Sequence, residues 1–293
     1  MCRGAREVAL HEARARLTRR LPWELFRTLL RAVVIDARHG VVPWRWLVAL
    51  VAFAVAALIG ADILHFSFRQ NRIDRLADVW DLFPAMLINQ VFLPWLLALG
   101  FMLLVGDSYL RAREQGTVAP CVLRLPSRTI WWLGKMGALG VLSLCFVGLG
   151  LAVTLLVGCF IAPPGAVPLL GREGLPGMYP RADLFVPTYI LLLAGYTAWA
   201  LWIVGSCIVL LSVFIPRHAT VLAASLLWVA TSLPWLRPHY RGPARLLSLD
   251  YFISASKHEL ADPMSWRAYF AISAAAAVLI AVAGSWRLRW EEL

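Results

Sequence analysis

The chain has 293 residues, of which 60% are hydrophobic and 15% charged, with a net charge of +11, and its mean hydropathy is +0.71. Soluble domains run at about half apolar and about a quarter charged, so this balance excludes an ordinary soluble enzyme and indicates an all-α polytopic membrane protein. The basic excess by itself would also suit nucleic-acid binding, but its placement along the chain assigns it to orientation and anionic membrane lipid, not to nucleic acid.

Residues 1–20 are rich in arginine, and no apolar core or small-residue cleavage site follows directly, so they read as a cytoplasmic segment and not as a signal peptide. Over 22–39 the chain reads PWELFRTLLRAVVIDARH. Leu25, Phe26, Leu29, Leu30, Val33 and Val34 recur at helical spacing, Arg27, Arg31 and Arg38 fall elsewhere, and Pro22 suits a first turn. This predicts an amphipathic helix in the cytoplasmic interface within an N-terminal segment 1–43; the alternative is a cytosolic helix packed on a partner. Six apolar spans are predicted within 44–286, at 44–64, 82–106, 129–161, 184–215, 219–236 and 267–286, followed by a tail at 287–293. The third and fourth exceed one bilayer width, so they must tilt, kink or project.

Basic residues set the orientation. Ten arginines precede Trp46, and Arg111, Arg113, Arg124, Arg128, Lys135, Arg217, Arg287 and Arg289 fall on the same side, whereas the basic residues of the opposite loops are nearly matched by acids. Both termini are therefore expected in the cytoplasm, with the chain in the cytoplasmic membrane. Of the outward loops, 65–81 carries Asp74, Asp78 and Asp81 at helical spacing with Arg72 and Arg75 among them. These read as a solvated helical face, with a divalent-metal site as the alternative. The loop at 162–183 is rich in Pro and Gly and reads as an irregular lid. The loop at 237–266, around RLLSLDYFIS, suits short helices dipping into the outer leaflet.

Chemistry within the chain is sparse. Cys2, Cys121, Cys145, Cys159 and Cys207 lack metal-ligand spacing and read as packing residues. The six histidines sit in loops or at span edges, leaving none for a membrane-embedded Ser–His dyad, and no H-E-x-x-H occurs. Gly134-Lys135 is followed by Met136, so there is no phosphate-binding P-loop. The alternative to transport is a membrane-embedded enzyme or haem-handling protein acting at the outer face, with His65, His239 or His258 as haem ligands. No ionisable group falls at mid-span: Arg45, Asp62, Asp107, Lys135 and Arg267 lie near span ends, where they can snorkel. Transport by this chain would then draw its energy from elsewhere. Asn89 and Gln90, just before Pro94, and Thr154, Tyr196 and Thr197 are the candidates for a substrate path, or else they bond across helices.

The polar insert at 107–131 separates two strongly apolar stretches. It has helix-forming character around Gly116, a break at Leu125-Pro126, and Ser127 placed to cap the helix that follows. This predicts a short cytosolic helix, a turn, and a long membrane helix entered through Trp131 and Trp132, a strut that a partner can push. Arg113-Glu114-x-Gly116-Thr117, then Leu125-Pro126-Ser127-Arg128, then Trp132-Leu133-Gly134-Lys135 resembles the cytoplasmic loop of the permease subunits of type-2 ATP-binding cassette transporters. Outside this local match the agreement is one of layout: an amphipathic helix before six spans, with inward termini. The resemblance implies an exporter permease that pairs as a homodimer or heterodimer above two copies of a separate ATPase subunit. No cofactor is bound directly, and ATP and magnesium belong to that ATPase. It also implies that the loop helix around Leu110 to Thr117 seats on the ATPase, with Arg111, Arg113, Glu114, Gly116, Thr117, Pro126, Ser127 and Arg128 as coupling residues and Lys135 as an anchor at the lipid boundary. Family members export drugs, peptides, glycans or lipids.

Overall fold

The computed structural model describes residues 22–70, 79–88, 92–116, 118, 127–161, 186–232, 248–253 and 266–290. Among the described residues the protein is all-helical, and five of its helices are long and apolar enough to cross a membrane: Pro43–Asp62, Trp95–Glu114, Arg128–Ile161, Ile190–Phe214 and Tyr269–Trp290. The predicted loops at 1–20 and 162–183 lie outside the described residues.

Helix α1 (Pro22–Gly40) begins at the proline, whose fixed φ suits a first turn. Arg27, Arg31 and Arg38 are exposed, as the spacing predicts, and so are Phe26, Leu30 and Val34. A different line of the helix meets the long α6 (Arg128–Ile161). Val33 and Ala32 sit where a Cβ on Gly137 or Gly134 would fall 2.7 Å and 2.8 Å from them. Only glycine at those two positions lets the helices approach this closely.

Helix α2 (Pro43–Gln70) runs about 42 Å at 1.5 Å per residue, longer than the predicted first span. It buries Phe53, Ala56, Ala57 and Ala61 and exposes Leu47, Val48, Val51, Val55 and Leu58. An apolar outer face of this kind belongs in lipid or against another helix. Phe53 fills the notch at Gly150 of α6, and the rings of Phe53, Phe101 and Phe146 cluster with centroids 5.0 Å and 5.4 Å from Phe146.

The predicted second span, 82–106, is not one regular helix. A 3-10 turn (Val79–Asp81) leads into α3 (Leu82–Ile88), then a π-helical segment (Phe92–Leu99) and α4 (Gly100–Val105). Pro94, within the π segment, has no N–H to donate, so a regular i→i−4 ladder cannot pass through it and the turn widens. The apolar helical run long enough to span is shifted toward the C-terminus, to Trp95–Glu114, and includes α5 (Ser108–Glu114).

Helix α6 is about 51 Å long by the same rise, well beyond a hydrocarbon core of about 30 Å. Helix α7 (Val186–Phe214) packs beside it. The predicted fifth span, 219–236, is described as α8 (His218–Ala230), only 13 residues long, and the part beyond Ser232 lies outside the described residues. Helix α9 (Leu249–Ile253) falls in the loop expected to dip into lipid. It packs on the protein: Leu249, Phe252 and Ile253 are buried, and the Phe252 carbonyl accepts from the Tyr196 hydroxyl at 3.1 Å. Helix α10 (Trp266–Trp290) closes the bundle against α6 and α7.

Candidate functional site

The base of α6 is tied to α10, α1 and α7 by polar bonds. Ser127 begins it: its hydroxyl accepts from the Ile130 amide at 3.2 Å, as an N-cap should. Arg128 donates to the Leu288 carbonyl of α10 at 2.7 Å. One turn on, Trp132 is fully buried in the notch at Gly284 and donates to the Ile280 carbonyl at 3.3 Å. Lys135 does not snorkel outward to a lipid boundary. It is 2% exposed, its ammonium lies 3.0 Å and 3.2 Å from the two Asp36 oxygens of α1, and it sits 5.8 Å from the Trp131 ring centre. The Met136 carbonyl accepts from the Trp202 indole of α7 at 2.8 Å. A buried lysine needs such a partner, because a lone charge out of water is costly.

Helix α5 packs on α7 and reaches this base through one ring pair. Tyr109 and Leu110 are buried, and Tyr109 meets Trp131 edge-on at a ring distance of 6.1 Å. Arg113, Glu114 and Gln115 are exposed. Glu114 bonds His218 at the start of α8 at 2.8 Å. The helix closes with the Gln115 amide on the Arg111 carbonyl and the Gly116 amide on the Arg113 carbonyl. Gly116 has φ +65°, the left-handed conformation that ends helices and that glycine adopts without Cβ strain.

Arg111 points back into the protein. Its guanidinium lies 3.0 Å from Asp107 and 3.3 Å from the Leu104 carbonyl. Asp107 also receives two parallel hydrogen bonds of 2.9 Å from Arg45 of α2, which donates to the Leu103 carbonyl as well. Arg45 and Asp107 of this cluster end a cavity of about 600 Å³ between α2, the π segment with α4, and α8. Val48, Ala52, Trp95, Leu99, Phe146 and Leu222 are among its walls, with Arg45, Asp107 and His218 at the polar end.

The structure thus brings Arg111, Arg113 and Glu114 onto one short helix, closed by Gly116 and joined by Tyr109–Trp131 to the base that carries Ser127 and Arg128. Thr117 and Pro126 lie outside the described residues, as do Asn89 and Gln90. The other three substrate-path candidates are buried and bonded internally. Thr154 donates to the Gly150 carbonyl at 2.7 Å, Tyr196 to Phe252, and Thr197 to the Leu193 carbonyl at 2.8 Å. They do not line the cavity. Sequence reasoning missed the joint role of Arg45 and Asp107; the available signal was two opposite charges at same-side ends of successive spans. Among the described residues no group of three or more His, Cys, Asp or Glu is placed to hold a metal. Asp74 and Asp78, and His239 and His258, lie outside the described residues. No protein-family model matches the chain, and no curated protein matches it.

Proposed function

We propose that this chain is the membrane-embedded permease subunit of an ATP-driven exporter of the type-2 ATP-binding cassette kind. It works as a dimer in the cytoplasmic membrane above two copies of an ATPase subunit that binds ATP and magnesium. In this reading the chain crosses six times with both termini cytoplasmic, α8 belongs to the fifth crossing, and α1 lies in the inner interface with Phe26, Leu30 and Val34 toward lipid.

The observation that carries the reading is α5: a two-turn helix with exposed Arg113 and Glu114 that ends at Gly116, packs on α7, and meets the root of α6, the longest of the described helices, through Tyr109 and Trp131. ATP-driven closure of the ATPase pair presses on α5. The Tyr109–Trp131 contact hands the motion to α6. The bonds at Arg128, Trp132, Lys135 and Met136 make α10, α1 and α7 move with it. A stiff element tied to several neighbours passes on a displacement that a flexible loop would absorb. Purification of the tagged full-length chain from native membranes tests this. A P-loop ATPase should copurify with wild type and be lost on Arg113→Ala with Glu114→Ala; a wild-type chain that brings no ATPase contradicts it.

A further inference from the structure

The cavity beside Arg45 has a shape and charge that select a ligand. Along α2 its lining runs from Trp44 to Phe53, a rise of about 14 Å, close to half of a hydrocarbon core of about 30 Å. It therefore reaches about one leaflet deep, and its walls are almost wholly apolar. At its polar end two guanidinium groups, Arg45 and Arg111, share the single carboxylate of Asp107, which leaves the cluster with one positive charge in excess. The Arg45 side chain lines the cavity and is 23% exposed. Behind it, the buried Arg111 Nε finds no hydrogen-bond partner among the described residues. His218, at the same end, is engaged with Glu114. A surplus cation at the edge of apolar surface is costly unless an anion meets it. Water filling the cavity would also hydrate its apolar walls, which a hydrocarbon chain would cover.

We propose that this cavity binds one anionic phospholipid, an acyl chain lying along α2 and the π segment and the headgroup phosphate against Arg45. Arg111, by sharing Asp107, leaves the charge of Arg45 only partly neutralised. Charge complementarity chooses an anionic headgroup over a zwitterionic one, whose own cation would face the arginines. The inference rests on the proposed function only for placing Arg45 at the inner leaflet; no ATPase enters it.

Native mass spectrometry of the full-length protein in maltoside micelles, titrated with dioleoylphosphatidylglycerol or dioleoylphosphatidylcholine, tests it. One phosphatidylglycerol should be retained about tenfold more tightly than phosphatidylcholine, the scale of one hydrogen bond to a charged group. Arg45→Gln should abolish that preference. Ala52→Trp, which fills the cavity and leaves the charges in place, should lose the retained lipid. Equal retention of both lipids, unchanged retention in the two variants, or displacement by inorganic phosphate alone would overturn the proposal. Retained phosphatidylglycerol without a copurifying ATPase would leave this site standing and remove the exporter reading; the reverse result would do the opposite.

Discussion

The ammonium of Lys135 lies 3.0 Å from a carboxylate oxygen of Asp36, across 99 residues of sequence, and the lysine is 2% exposed while the aspartate side chain is 25% exposed. The pair clamps the amphipathic α1 to α6, and its two members are not equivalent. Asp36→Ala leaves a buried cation alone and should cost about 3–5 kcal/mol. Lys135→Met leaves a carboxylate that water can reach, so it should cost less. Thermal unfolding of the detergent-solubilised variants, read by tryptophan fluorescence, checks the order; Lys135→Met as the more damaging change contradicts it.

Close helix approach at Gly150 gives a second test. A Cβ there would lie 2.5 Å from the Phe53 ring. Gly150→Ala should destabilise by about 1–3 kcal/mol, as overpacking does. The double variant with Phe53→Leu should recover most of the loss, since the smaller side chain vacates the notch. If the double variant is no more stable than Gly150→Ala alone, the contact is not the cause.

Gly116 ends α5 in the left-handed region. Alanine there adds about 1–2 kcal/mol of strain, which should raise the fraying of α5 about five- to thirty-fold. Hydrogen exchange of the amides at 112–116 should speed up by that factor, while those in the middle of α6 stay unchanged. Uniform acceleration across the protein would mean global destabilisation instead.

The alternation of charge and apolar runs made much of this architecture legible. The spacing of Leu29, Val33 and the arginines named α1, and Ser127 was recognisable as a cap before its bond was seen. Helix boundaries near Pro94 were not, because a proline announces a disturbed ladder without saying whether the helix kinks, breaks or widens. Hydroxyls in the spans were ambiguous for a related reason: Thr154 and Thr197 satisfy themselves on carbonyls four residues back, and a sequence does not reveal whether a polar group faces a path or its own helix. Lys135, read as a snorkelling end, is instead buried in an ion pair, and the partner of Arg45 was not legible at all. Their partners, Asp36 and Asp107, lie 99 and 62 residues away, and such pairing is set by tertiary packing alone.

Loss of coupling without loss of fold should follow from the exposed end of α5. Arg113→Ala with Glu114→Ala removes exposed side chains and, with Glu114, one exposed bond to His218, so stability should fall by no more than about 1 kcal/mol. ATPase copurification should nevertheless fall at least tenfold. An unfolded double variant would show these residues to be structural, and full copurification would remove them from the interface.

Placing a cysteine at Gln115, in a chain whose five native cysteines are replaced by serine, tests the central claim most directly. It lies at the exposed tip of α5, so a short thiol-directed crosslinker applied to inverted membrane vesicles should join it to a P-loop ATPase, identified by mass spectrometry. An impermeant thiol reagent should not reach it from outside intact cells. Labelling from the outside, or no protein neighbour in the active assembly, would show that α5 is not a lever driven from the cytoplasm.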